Sequence, residues 1–127
     1  MKVPRISPCD RAGFILERIR GKKVLHIGCA DWPWTENKVK NGALLHQKMV
    51  GVASKLVGLD LAREGVAIMQ EAGIENLYVA NVEMSAYDYL QDKFDVVVVA
   101  EVLEHILNAG NVLESIKTVC HKKTVLL

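Results

Sequence analysis

The chain has 127 residues, half of them hydrophobic and 24% charged. That suits one domain with a sizeable core and excludes a disordered or low-complexity chain. Sixteen Lys and Arg against 15 Asp and Glu leave a net charge of +1, so no global field draws the chain to nucleic acid or to an anionic membrane.

Met1-Lys2-Val3-Pro4-Arg5 opens no stretch of signal-peptide character. The longest unbroken apolar run, Val96 to Ala100, is far short of the roughly 20 residues of a membrane span. Cys9, Cys29 and Cys120 are odd in number and scattered. They predict a reduced, cytoplasmic chain rather than a disulfide scaffold. His26 with Cys29, or Cys120 with His121, lack any CxxC or HExxH context, so no metal site is expected.

Ser7-Pro8-Cys9-Asp10 reads as a helix start: a capping hydroxyl, a proline for the first turn and an acid near the positive end of the dipole. Ala12, Ile15, Leu16 and Ile19 continue at helical spacing, and Gly21 closes this N-terminal helix within residues 1–21. Lys23 to Ile27 reads as a strand, Gly28 to Asp31 as a turn, and Trp32 to Lys40 as a loop. Leu44, Leu45, Met49 and Val52 mark a second helix, and Leu56 to Asp60 the next strand. Leu61, Gly65, Val66, Met69 and Ala72 share a helical face ended by Gly73. Leu77 to Ala80 is a third strand, followed by one or two helical turns at Ser85 to Gln91. Phe94 to Ala100 is β-branched and continuous, the pattern of a strand covered on both faces. Asn111 caps a helix carrying Val112, Leu113, Ile116 and Val119, and Thr124 opens a fifth strand.

Strands and helices alternate with no repeat and no linker. Right-handed crossovers then predict an α/β fold: a doubly wound, mostly parallel sheet with helices on both sides, in a single domain over residues 1–127.

Ligands of such sheets bind at the carboxyl ends of the strands, near the point where strand order reverses. Three ends carry suitable chemistry. Gly28, directly after the first strand, lets a ligand approach the backbone, or merely makes a tight turn. Asp60 ends the second strand, where a carboxylate can accept both ribose hydroxyls or cap the following helix. Asn81, with Val82 after it, offers an amide and a backbone N–H to the edge of an adenine. Gly28 and Asp60 are 32 residues apart in the numbering, more than the roughly 20 of a dinucleotide fold.

Val24-Leu25-His26-Ile27-Gly28-Cys29, Val57-Gly58-Leu59-Asp60-Leu61, Ala80-Asn81-Val82-Glu83 and the block from Phe94 to Glu101-Val102-Leu103-Glu104-His105-Ile106 occur in that order. Over residues 20–127 the chain resembles the cofactor-binding part of a class I S-adenosylmethionine-dependent methyltransferase. The resemblance implies a Rossmann-like core and S-adenosylmethionine as cofactor. It places Gly28, with Cys29 and Ala30, beside the methionine part of the cofactor, and Asp60 on the ribose. It puts Leu61 on the adenine, Asn81 and Val82 at the adenine edge, and Glu101 near the methyl donor. His26 stands where the family carries an acid, Ala30 replaces the second glycine of the turn, and Trp32 replaces another small residue. His26 is thus either a cofactor contact or a satisfied buried histidine. Trp32 and Trp34 line a substrate mouth or fold back on the first helix. This His-Ile-Gly-Cys-Ala-Asp-Trp-Pro variant is similar to bacterial methyltransferases of small-molecule or glycan pathways.

Glu101 and His105 are four apart and share a face if a helical turn follows the strand. His105 suits a general base for a hydroxyl or amine acceptor, against the alternative of a structural helix residue beside a solvated Glu104. Arg18, Arg20, Lys22 and Lys23 read as a solvated face. The leading expectation is methyl transfer to a small molecule or glycan. A non-catalytic cofactor-binding module is the alternative. A nicotinamide-dependent oxidoreductase is disfavoured, because Pro33 breaks any Gly-x-Gly-x-x-Gly. The resemblance also implies two further strands beyond the fifth. The apolar end from Thr124 to Leu127 therefore predicts either a piece of a longer protein or a homodimer paired through that edge.

Overall fold

A computed structural model describes residues 11–81, 87, 90–99 and 109–127. In chain order the elements are α1 (Arg11–Ile19), β1 (Lys23–Ile27), α2 (Thr35–Lys40), α3 (Leu45–Met49), β2 (Lys55–Asp60), α4 (Arg63–Glu71), β3 (Leu77–Val79), β4 (Phe94–Val98), α5 (Ala109–Lys117) and β5 (Cys120–Leu126). The strands form one sheet in the order β3-β2-β1-β4-β5. All four pairings are parallel, so the carboxyl ends of the strands share one rim. The chain winds outward from β1 to β3, then crosses back to β4, which puts the switch point between β1 and β4.

Alternation along β1 decides the faces. Val24 packs with Ile15 and Ile19 of α1, Met49 of α3, and Val96 and Val98 of β4. Leu25 and Ile27 point the other way, onto Val97, Val112 and Ile116. Val96, Val97 and Val98 are at most 3% exposed, which is why their sequence is continuous rather than alternating. Each such side chain contributes about 1.5–3 kcal/mol relative to exposure. A third cluster under the carboxyl rim joins Cys29, Ala30, Leu44, Val66, Met69 and Leu77.

The structure corrects four local expectations. The segment read as a loop contains α2. Its six residues, TENKVK, hold no apolar repeat, and the helix is fixed through the buried Thr35. Leu61 does not join the buried face of α4; it precedes the helix and is 65% exposed. Asn111 lies inside α5 rather than capping it. β5 begins at Cys120 and not at Thr124. Its register against β4 slips between the Phe94–Cys120 and Val96–Val125 pairs, so polar His121, Lys122 and Lys123 hide its start. Thr124 closes the slip, donating its hydroxyl to the Phe94 carbonyl at 2.7 Å and accepting from His121 N–H at 2.8 Å. Ser7 to Asp10 and most of Ser85 to Gln91 lie outside the described residues.

Among the described residues no helix is long and apolar enough to cross a membrane. Arg18 stacks over Phe14 with 4.4 Å to the ring centroid, and Lys23 pairs with Asp92. These basic groups lie at the amino ends of the strands, away from the rim described next.

Candidate functional site

The carboxyl rim brings together the turn after β1, the end of β2 and the end of β3. Gly28 leaves β1 with a φ of 80°, a conformation open to glycine and strained for most other residues. Its N–H donates to the Leu59 carbonyl at 2.8 Å, and that of Cys29 reaches the same oxygen at 3.3 Å. The turn therefore starts as a continuation of the β1–β2 ladder and is aimed toward Asp60.

Asp60 is the organising side chain. One carboxylate oxygen accepts Ala30 N–H at 2.9 Å, and the other accepts Ala62 N–H at 2.8 Å. One acid thus holds the turn after β1 and the approach to α4 at once. Each carboxylate oxygen has two lone pairs, so both keep capacity toward the rim. The far side of the turn is held too. Thr35 donates its hydroxyl to the Ala30 carbonyl at 2.6 Å, Trp34 N–H donates to the Asp31 carbonyl at 2.9 Å, and Lys38 pairs with the Asp31 carboxylate. Gly65 lets α4 come close. A Cβ there would stand 2.8 Å from Ala30 Cβ and 3.0 Å from Thr35 Oγ1. Ala30 in place of a glycine costs little, since its backbone is not among the positive-φ residues.

Beneath the turn lies a pair of imidazoles. His26 on β1 is 2% exposed, and His46 on α3 is fully buried. Their Nδ1 atoms are 2.9 Å apart, and the rings meet edge to edge with their planes 10° from parallel. One Nδ1 must donate and the other accept, so the bond is fully satisfied in the neutral pair. Burial is the main cause that pushes His26 well below the usual imidazole range, with His46 and Arg11 adding to it; burial also lowers His46 to about 4. The partner across the ladder from His26 is Gly58. A Cβ on Gly58 would lie 2.9 Å from His46 Cε1 and 2.8 Å from both Cys29 Sγ and Leu77 Cδ2. Gly58 thus makes the space that His46 fills. Gly58→Ala is expected to cost about 1–3 kcal/mol of stability through overpacking, read as a lower denaturation midpoint; an unchanged midpoint would contradict this packing.

The structure places the expected residues unevenly. Gly28, Asp60, Leu61 and the exposed Asn81 share the rim. His26, Cys29 and Ala30 lie within five residues of one another but are only 0–2% exposed, and the N–H groups of Cys29 and Ala30 are bonded to Leu59 and Asp60. Burial first, then Asp60, pushes the Cys29 thiol up, and it is a neutral packing group. Val82, Glu101, Glu104 and His105 lie outside the described residues. Trp32 rests near Gly65 of α4. Thr35, His46, Gly58 and Gly65 were not singled out for the site from sequence, although Gly65 fell on the expected helical face. Among the described residues no three His, Cys, Asp or Glu side chains cluster so as to hold a metal ion.

The family profile described as a methyltransferase domain matches residues 6–127. The chain belongs to this methyltransferase-domain family. The methyltransferase domain is 33% identical over 119 residues to a ubiquinone biosynthesis O-methyltransferase of Proteus mirabilis, covering 87% of this chain and 43% of that protein. It is 30% identical over 105 residues to the enzyme of the same name from Glaesserella parasuis, covering 76% and 40%. The chain thus spans about two fifths of the length of these curated relatives. A crystal structure of a coclaurine N-methyltransferase, bound to N-methylheliamine and S-adenosylhomocysteine, superposes with a TM-score of 0.59 at 19% identity. It covers 93% of this chain and 34% of that one, and shows the shared fold.

The cofactor of this family is S-adenosylmethionine, and the rim fits it. A half-buried carboxylate already oriented by two backbone amides stands at the end of β2. An exposed apolar Leu61 stands directly after it, and an exposed Asn81 lies at the neighbouring strand end.

Proposed function

We propose that the domain binds S-adenosylmethionine across the rim from Gly28 to Asn81 and transfers its methyl group to a small-molecule acceptor. The observation that carries this is Asp60, which couples the turn after β1 to the start of α4 in a domain of methyltransferase family. When bound, the cofactor supplies an electrophilic methyl on a sulfonium. The residues of the chain bind and orient. Asp60 accepts the ribose hydroxyls, Leu61 packs on the adenine, Asn81 and Val82 meet its edge, and Gly28 admits the methionine part to the backbone. In-line displacement from a sulfonium draws much of its rate from such positioning.

The relatives named as O-methyltransferases favour a hydroxyl acceptor, and of the small-molecule and glycan classes they support the former. A phenolic hydroxyl loses its proton far more readily than a sugar hydroxyl, and His105 is the group that would take it. Incubation with methyl-labelled S-adenosylmethionine and either a catechol or a hexose tests the class. Label is expected in the catechol; label in the hexose, or in neither, would contradict the proposal. His105→Ala is expected to lower turnover about 100-fold or more while leaving cofactor affinity unchanged. Unaltered turnover would remove His105 as the base.

A further inference from the structure

Trp32 and Trp34 are the two tryptophans of the chain. They flank Pro33 between the turn and α2, and both are exposed, at 46% and 62%. Their surroundings differ. Trp32 Cε3 lies 3.5 Å from where a Cβ on Gly65 would stand, so its ring rests on the first turn of α4. Asp60 and Leu61 lead into that same turn. The missing Cβ would also touch Ala30, whose N–H is held by Asp60. Trp32, Gly65, Ala30 and Asp60 are therefore linked contact by contact, and about half of the indole and most of Leu61, the residue after Asp60, stay open to solvent.

We propose that Trp32 is a positioning residue for the nucleoside half of the cofactor, its exposed ring and Leu61 forming the apolar walls of a slot for an adenine nucleoside whose ribose meets Asp60. This rests on the cofactor reading above. Sheet order decides between nucleoside and methyl acceptor as the occupant. Gly65 belongs to α4, which joins β2 to β3, so the ring stands on the side of the rim that holds Asp60 and Asn81. The switch point between β1 and β4 lies on the other side of the turn. An indole supplies a broad π-face for a purine. The loop that presents it is already held by Thr35, Lys38 and Asp60, so little conformational freedom is lost on binding.

Calorimetric titration with S-adenosylhomocysteine and with methylthioadenosine, which lacks the amino-acid end, tests this. Trp32→Ala is expected to weaken both ligands alike, by about 10-fold. Trp32→Phe is expected to recover most of that loss, and Trp34→Phe to leave both affinities unchanged. In Trp34→Phe, where Trp32 is the remaining indole, tryptophan emission is expected to change as S-adenosylhomocysteine saturates. Unaltered affinity in Trp32→Ala with unaltered emission overturns the assignment of Trp32 and leaves the cofactor site standing. Weakening of S-adenosylhomocysteine alone places the ring at the amino-acid end and also overturns it. No heat from the unsubstituted protein overturns the cofactor reading, and the role of Trp32 with it.

Discussion

Asp60→Ala is expected to weaken S-adenosylhomocysteine binding by about 100-fold or more, as the loss of two charge-assisted bonds to ribose hydroxyls implies. The same substitution strips the partner from Ala30 N–H and from Ala62 N–H. Leaving such partly buried donors unpaired costs roughly 1–3 kcal/mol, so the denaturation midpoint falls as well. Asp60→Asn keeps one of the two amide bonds. Its single carbonyl oxygen can accept from one amide, while its NH₂ group meets the other N–H donor to donor. The variant is expected to lose part of the stability and most of the affinity. Calorimetry on both variants, beside a melt, is the check. Affinity within a few-fold of the unsubstituted protein in Asp60→Ala would remove the carboxylate from the ribose.

Acidification is the second large effect. In the unfolded chain His46 binds its proton near 6.5, whereas in the fold it resists protonation down to about 4. Its stabilising contribution is thus fully present above pH 6.5 and is lost as pH falls from 6.5 toward 4. One pKa unit corresponds to about 1.4 kcal/mol, so His46 alone accounts for a loss of about 3 kcal/mol. His26 shifts in the same direction and deepens the loss. Arg11 of α1 also disfavours a further positive charge on His26. Asp92 and Asp95, whose ionised forms are held by hydrogen bonds from Lys55 and Lys23 and from Lys23 N–H and His121 respectively, titrate below 3.8 and fall outside this window. Denaturant melts across the window read the slope. His46→Phe is expected to flatten it, and a flat profile in the unsubstituted protein would contradict a neutral buried pair.

These two histidines show how far sequence reading reached. β4 was legible because four consecutive buried valines, Val96 to Val99, leave an unmistakable apolar run. The strand ends at Gly28, Asp60 and Asn81 were legible because alternation of strands and helices fixes which ends share a rim. His26 at the acid position was visible as a departure, but its partner was not. His46 sits 20 residues away on a five-residue helix, and only the register that sets Gly58 opposite His26 reveals the space for a second ring. α2 escaped for a related reason, since a short polar helix fixed by one buried hydroxyl leaves no periodic signal. The start of β5 was hidden by the slip that a threonine closes. In each case a local pattern gave way to a contact made across the fold.

The turn after β1, with His26 at its base and Ala30 and Trp32 along it, is held from both sides, by Asp60 and by Thr35 and Lys38. The central claim is that this turn, with Leu61 and Asn81, is a formed S-adenosylmethionine site. Amide NMR of the protein titrated with S-adenosylhomocysteine tests it most directly. Saturable shifts are expected at Gly28, Ala30, Leu61, Ala62 and Asn81, with Lys23, Asp92 and His121 at the opposite edge unmoved. No shifts, or shifts confined to that opposite edge, would contradict the account.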